Sequence, residues 1–217
     1  MIKTILFDLD GTLLNTIDDL ADAANWVCTQ HGWPTFPVET YKHFVGNGIP
    51  KLVERFSPAS CRSPEQLAAT LAEFDKVYGA HMHDKTAPYP GMPALLARLK
   101  AEGARMCICS NTWSAQCRTV LTRLGIDEYF DFYVEAQGAL HKSRPDVFFQ
   151  TLTRLGGTDP DRCVVCEDSL YAARTAHDAG FHVIGIADAA SKSDEPALRE
   201  VSDQFLTDWT ELDWDKV

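Results

Sequence analysis

The stretch Lys3-Thr4-Ile5-Leu6-Phe7-Asp8-Leu9-Asp10-Gly11-Thr12-Leu13-Leu14-Asn15-Thr16 constrains this chain more than any other. Ile5, Leu6, Phe7 and Leu9, with Asp8 among them, read as a strand buried on both faces. Carboxylates leaving such a strand must be paired or bound to a metal, because taking the charge out of water is costly. Gly11 breaks the strand and leaves Asp8 and Asp10 at its carboxyl end, where open α/β sheets bind their ligands. Side chains alternate along a strand, so this spacing sends both carboxylates off one face. Two like charges so close call for a cation, and hard oxygen ligands favour Mg²⁺. A single Asp here would read as a turn cap. Two within an apolar strand point to a site.

The run Asp8-Leu9-Asp10-Gly11-Thr12-Leu13-Leu14-Asn15-Thr16 resembles the first motif of the haloacid dehalogenase-like hydrolases, a superfamily of phosphatases with an aspartate nucleophile. The resemblance implies that Asp8 attacks phosphorus, that Asp10 is the general acid/base, and that Thr12 supports the loop or the phosphate.

The 217 residues fit one large domain, or a core domain with a small insert. Hydrophobic residues make up 45%, enough for a sizeable core, and no run approaches the length of a membrane span. Strand-like sequence from Ile2 predicts that no signal or transit segment precedes the fold. Seven cysteines, several in strand-like runs, predict a reduced cytoplasmic protein rather than a disulfide framework. A formal net charge of −11 argues against nucleic acid or an anionic membrane as a partner. It does not argue against a phosphate substrate, since one Mg²⁺ and one Lys reverse the local field.

From residue 16 to 87 the pattern is helical. Ile17, Leu20, Ala24 and Val27 share a face, Gly32 and Pro34 are stop signals, and shorter helices are predicted over 38–44 and 49–56. Ser63-Pro64-Glu65-Gln66 opens a longer helix. After Pro88-Tyr89-Pro90-Gly91, strand and helix patterns alternate, which predicts a parallel sheet with helices on both faces. Helices inserted directly after the nucleophile strand resemble the α-helical cap of the subfamily that carries its cap between the first two motifs. The expected architecture is therefore an α/β, Rossmann-like core domain, residues 1–15 and 88–217, with an α-helical cap domain over residues 16–87.

Three more polar clusters end strands or open helices. Ser110-Asn111 follows Met106-Cys107-Ile108-Cys109 and, alone, would read as a helix cap; it resembles the family's second motif, which implies that Ser110 and Asn111 hold the phosphoryl oxygens. His141-Lys142-Ser143-Arg144-Pro145-Asp146 resembles the pattern Gly-Lys-Pro-x-Pro-Asp and implies that Lys142 offsets charge on Asp8 and the phosphoryl group. His141 stands for Gly and Ser143 for Pro, and the lost Lys-Pro bond predicts a looser loop, with Arg144 the lesser substitute cation. Glu167-Asp168-Ser169 after Cys163-Val164-Val165-Cys166 resembles the fourth motif. It implies that Asp168 is a metal ligand beside Asp8 and the Asp10 main-chain carbonyl, with Glu167 binding directly or through water. Some members carry a further Asp where this chain has Ala172, which shifts part of that burden to Glu167.

Other signals are assigned to structure. Cys163-x-x-Cys166 and Cys107-x-Cys109 lie in buried strands, where Cys acts as a small hydrophobe. His81-Met82-His83-Asp84 reads as a solvated helix end, and Trp26, Trp33 and Trp113 as packing for the cap and its seam with the core.

These features together predict a Mg²⁺-dependent phosphohydrolase for a small phosphorylated metabolite, working as a monomer or homodimer through an aspartyl-phosphate. Dehalogenases of the family resemble this chain but lack the second Asp, and Asp10 is present. A phosphomutase of the β-phosphoglucomutase type would use the same residues, and a pyrophosphatase branch resembles the Asn15-Thr16 form of the first motif. A phosphoacceptor signalling module has no need of a helical insert. Val45-Gly46-Asn47-Gly48 resembles a cap loop of phosphoglycolate phosphatases, which makes Gly46, Asn47 and Gly48 candidate specificity residues; the same residues also suit an ordinary helix–helix turn.

Overall fold

The structure, a computed structural model, describes residues 4–45, 48–188 and 192–214. Gly46 and Asn47 of the candidate specificity loop lie outside the described residues. The chain divides into two compact units, Met1–Leu14 with Pro88–Val217, and Asn15–Ala87.

The first unit is built on strand β1 (Thr4–Phe7). The chain leaves it through β2 (Leu14–Asn15) and returns through β3 (Ala87–Pro88), which pair with each other. Helix and strand then alternate: α5 (Met92–Ala101), β4 (Arg105–Ser110), α6 (Ser114–Arg123), β5 (Phe132–Glu135), α7 (Asp146–Arg154), β6 (Cys163–Glu167), α8 (Leu170–Asp178), β7 (His182–Ile186), α9 (Glu195–Glu200) and β8 (Gln204–Leu206). Apart from β2 and β3, the strands form a six-stranded parallel sheet in the order β5-β4-β1-β6-β7-β8. This is the α/β, Rossmann-like architecture that the alternating pattern predicts.

The order explains where a site can form. From β1 the chain steps outward to β4 and β5, then crosses back to β6 on the other side of β1 and continues to β7 and β8. Crossovers diverging on either side of β1 leave a crevice at its carboxyl edge, the usual ligand position in open sheets. Every residue of β1 is buried, as a central strand covered on both faces must be. One face packs Leu6, Cys107, Cys109, Cys163 and Val165 with Val147 and Phe148 of α7 and Ala172, Ala173 and Ala176 of α8. On the other, Phe7 meets the rings of Phe130 and Trp209, each at 6.1 Å between centroids.

The second unit holds α1 (Ile17–Gln30), α2 (Val38–Tyr41), α3 (Ile49–Phe56) and α4 (Pro64–His81). Ser63 and Gln66 form the reciprocal capping box that their spacing implies. Asp19 of α1 is buried and accepts hydrogen bonds from the Lys85 and Thr86 main-chain N–H groups and the Thr86 hydroxyl, tying the start of this unit to its end. Asn25 similarly bonds both main-chain groups of Phe36 and the Tyr41 hydroxyl. Helix α2 stops at Tyr41, short of the expected 44, because the chain bends where Phe44 N–H bonds to the Tyr41 carbonyl.

Two packing expectations need correction. Trp26 and Trp113 are 45% and 50% exposed, so neither indole is core, and Trp33 stacks on His31. The segment after α4 is not wholly solvated, since Met82 is buried. No helix among the described residues is long and apolar enough to cross a membrane.

Candidate active site

Asp8 and Asp10 follow β1, Ser110 ends β4, and Glu167 ends β6, all at the carboxyl edge of the sheet. Gly11 makes the turn. Its φ of +83° is open to glycine, and a Cβ there would come within 2.9 Å of the Asp168 carboxylate. The turn therefore lets Asp168 close on the backbone of the first loop. Thr12, fully buried, donates its hydroxyl to Asp168 Oδ1 at 3.2 Å, so it supports the loop through a carboxylate.

Carboxylate oxygens of Asp8, Glu167 and Asp168 lie within 4.8 Å of one another. Lys142 is buried among them and donates to Asp8 Oδ1 at 2.6 Å and Glu167 Oε1 at 2.5 Å. Burial works against the ammonium charge, but Asp8 and Glu167 outweigh it and hold Lys142 protonated well above its ordinary range. Burial also lifts the Glu167 carboxyl to about 7, with the Lys142 ammonium pulling the other way. Ser169 adds a hydroxyl donor to Glu167 Oε2 at 3.0 Å.

This donor set suits a hard divalent cation. All the ligands are carboxylate oxygens, one ammonium leaves the three carboxylates with excess negative charge, and Gly11 supplies the clearance Asp168 needs. The Asp10 carboxylate stands outside the trio. Instead it accepts a 2.7 Å hydrogen bond from the Thr112 hydroxyl. The two carboxylates of the first motif thus have different hydrogen-bond partners, Lys142 for Asp8 and Thr112 for Asp10, just beyond the end of β1 at Phe7.

Ser110 is buried and accepts from the Thr112 main-chain N–H at 3.1 Å. Asn111 donates from Nδ2 to the Tyr171 hydroxyl at 3.0 Å, and its buried Oδ1 has no hydrogen-bond partner. In the loop carrying Lys142, the two residues that depart from the family pattern contact each other. His141 Nδ1 pairs with the Ser143 hydroxyl at 3.0 Å, and its ring stacks on Tyr171. Arg144 is exposed and pairs with Asp146, away from the carboxylate trio. Gly48, at φ +84°, is the N-cap of α3 in the helical unit. Thr112 and Tyr171 are absent from the sequence reading. Their roles depend on contacts between distant segments, and only the place of Thr112 directly after Ser110-Asn111 could have drawn notice.

The family model described as haloacid dehalogenase-like hydrolase matches residues 5–186. The phosphoglycolate phosphatase of Caulobacter vibrioides is 33% identical over 197 residues, covering 89% of this chain and 81% of its own. A solved structure described as a predicted phosphoglycolate phosphatase, from Haemophilus somnus, has the same fold, with a TM-score of 0.83, 24% identity, and 95% and 94% of the two chains covered. CbbY from Rhodobacter sphaeroides, solved with phosphate, gives a TM-score of 0.81 at 28% identity over 98% and 96%. A mutant of CbbY was solved with xylulose-(1,5)-bisphosphate. The chain belongs to the haloacid dehalogenase-like hydrolases, and within them it is an enzyme of the phosphatase kind.

Proposed function

We propose that this enzyme hydrolyses a small phosphate monoester with Mg²⁺ through an aspartyl-phosphate on Asp8, and that 2-phosphoglycolate is its preferred substrate. The observation that carries the reading is the buried trio Asp8, Glu167 and Asp168 with the Lys142 ammonium among them. Asp8, the Asp10 main-chain carbonyl and Asp168 would hold the metal, with Glu167 next to them. Bound there, it supplies charge stabilisation for the transferring phosphoryl group.

The Asp8 carboxylate attacks phosphorus, and Asp10 gives its proton to the leaving oxygen. The ester P–O bond breaks as the Asp8–phosphorus bond forms. Asp10, now ionised, takes a proton from the water that attacks the aspartyl-phosphate, which returns Asp8 and releases inorganic phosphate. Lys142, Ser110 and Asn111 stabilise the phosphoryl oxygens, the main task in phosphoryl transfer. Asn111 Nδ2 is committed to the Tyr171 hydroxyl and its Oδ1 can only accept, so the Asn111 contribution to the phosphoryl oxygens is assigned to its main-chain N–H.

The helical unit Asn15–Ala87 is proposed as the cap that selects the leaving group, with Gly46, Asn47 and Gly48 its specificity residues. The preference for phosphoglycolate is supported by relatives named for that activity, of which this chain covers about four-fifths. The seven free thiols support a reducing, cytoplasmic setting.

Phosphate release from 2-phosphoglycolate, pyrophosphate, sugar phosphates and nucleotides, with Mg²⁺ and with excess chelator, tests the proposal against Asp8→Asn. Metal-dependent release from phosphoglycolate, lost in the variant, is the expected result. Release that survives Asp8→Asn overturns the mechanism; Asp8-dependent release confined to another compound overturns the substrate. A stable phosphoenzyme without phosphate release would assign the chain to the mutases.

A further inference from the structure

We infer that Thr112 is the positioning residue of the acid/base step: it aims the Asp10 carboxyl, and this rests on the role of Asp10 proposed above. Its hydroxyl donates to Asp10 Oδ2 at 2.7 Å across 102 residues of sequence. The threonine itself is buried and held at both main-chain groups. Its N–H donates to Ser110 Oγ at 3.1 Å, and its carbonyl accepts from Cys117 Sγ at 3.6 Å. A β-branched side chain on a pinned backbone has little χ1 freedom, so the hydroxyl is delivered to one place.

The obvious alternative is that Thr112 caps α6, as hydroxyls before a helix often do. It does not: α6 has no side-chain cap from its N-cap residue, and the N–H of Ser114 goes to Glu135 Oε1 at 2.9 Å. The Thr112 hydroxyl is used on Asp10 instead.

The chemistry follows from which oxygen accepts. In a carboxylic acid the carbonyl-type oxygen is the better acceptor and the other carries the proton. A hydroxyl donating to Oδ2 therefore favours the acid proton on Oδ1. That proton passes from Oδ1 to the ester oxygen as the P–O bond breaks, and Asp10 is left ionised. The same hydrogen bond then holds the carboxylate while Oδ1 recovers a proton from the attacking water. Thr112 also joins the two halves of the reaction physically, since its N–H orients the Ser110 hydroxyl proposed to bind the phosphoryl group.

The test is leaving-group dependence. Formation of the phosphoenzyme, reported by kcat/KM, needs Asp10 as acid for an alkyl ester but hardly for p-nitrophenyl phosphate, whose phenolate leaves unprotonated. Because small misplacements of a reacting group cost about 10²-fold, Thr112→Val should lower kcat/KM for 2-phosphoglycolate by about 10- to 100-fold. For p-nitrophenyl phosphate the loss should stay below about threefold, since general acid help is not required there. Thr112→Ser keeps the hydroxyl and should restore both. Equal losses on the two esters, or a Ser variant as impaired as Val, overturn the inference. Wild-type enzyme that shows no Asp8-dependent release from either ester overturns the underlying reading instead. Thermal unfolding of both variants separates a misaligned acid from a damaged fold.

Discussion

The His141 imidazole stacks on the Tyr171 phenol, with ring centroids 5.5 Å apart and planes 18° from parallel. The stack bridges two loops, because His141 adjoins Lys142 and the Tyr171 hydroxyl accepts from Asn111. If these contacts by residues that depart from the family pattern brace the neighbouring Lys142, losing them should cost turnover. His141→Ala should lower kcat by about tenfold, roughly 1.4 kcal/mol in the barrier, with the unfolding midpoint nearly unmoved. Pairing His141→Gly with Ser143→Pro installs the family pattern and should recover most of the loss. If steady-state kinetics show the single variant at wild-type rate, the stack does not position Lys142.

Metal removal should be visible without turnover. A ligand present at 100 times its Kd stabilises a fold by about 2.7 kcal/mol, so Mg²⁺ should raise the unfolding midpoint and chelator should reverse the rise. Asp168→Asn should abolish that shift. Gly11→Ala should weaken it, since the new Cβ would press on the Asp168 carboxylate at 2.9 Å and strain a φ of +83°. Calorimetric titration with Mg²⁺ checks both.

Glu167 makes the metal-free protein sensitive to pH. Its carboxyl rises from 4.5 to about 7 on folding, chiefly through burial, so the folded state binds more protons than the unfolded one between those values. Stability from this group is therefore complete below about 4.5 and lost as pH rises through about 7. In chelator, denaturant unfolding of Glu167→Gln should show the variant gaining on wild type across that window. A stability difference that is flat in pH would contradict the burial argument.

Lys142 is the buried partner of two carboxylates, and taking away one side of such a pair costs about 3–5 kcal/mol. Lys142→Met should lose turnover and stability together. Saturating Mg²⁺ should recover part of the stability but none of the turnover, because a cation replaces the charge and not the donor.

Six of the seven cysteines are buried. Burial pushes the thiols of Cys28, Cys107, Cys109, Cys117, Cys163 and Cys166 up, away from the reactive thiolate. A thiol-labelling titration should find one fast-reacting group in the native protein, Cys61, and seven after denaturation.

The core was legible because buried parallel strands read as unbroken apolar runs. Ile5-Leu6-Phe7 and Val164-Val165-Cys166 announce themselves, and the polar residues ending each run lie at the edge where ligands bind. Lys142 was legible through the motif position it occupies, since a lone Lys reads as a surface charge, and its ammonium lies between Asp8 and Glu167. What escaped was whatever depends on a partner far along the chain. Thr112 reaches Asp10 across 102 residues, and its place directly after Ser110-Asn111 does not name that partner. Trp26 and Trp113 were misjudged for a related reason: a residue type and its local spacing do not say what, if anything, lies over it.

The indole N–H of Trp209 donates to the Thr12 carbonyl at 2.9 Å across 197 residues, and β1 itself lies between β4 and β6. A residue beyond β8 thus fastens the first loop from outside the sheet, and Thr12 hands that anchorage on to Asp168 through its hydroxyl, so a disturbance after β8 would be felt at the carboxylates.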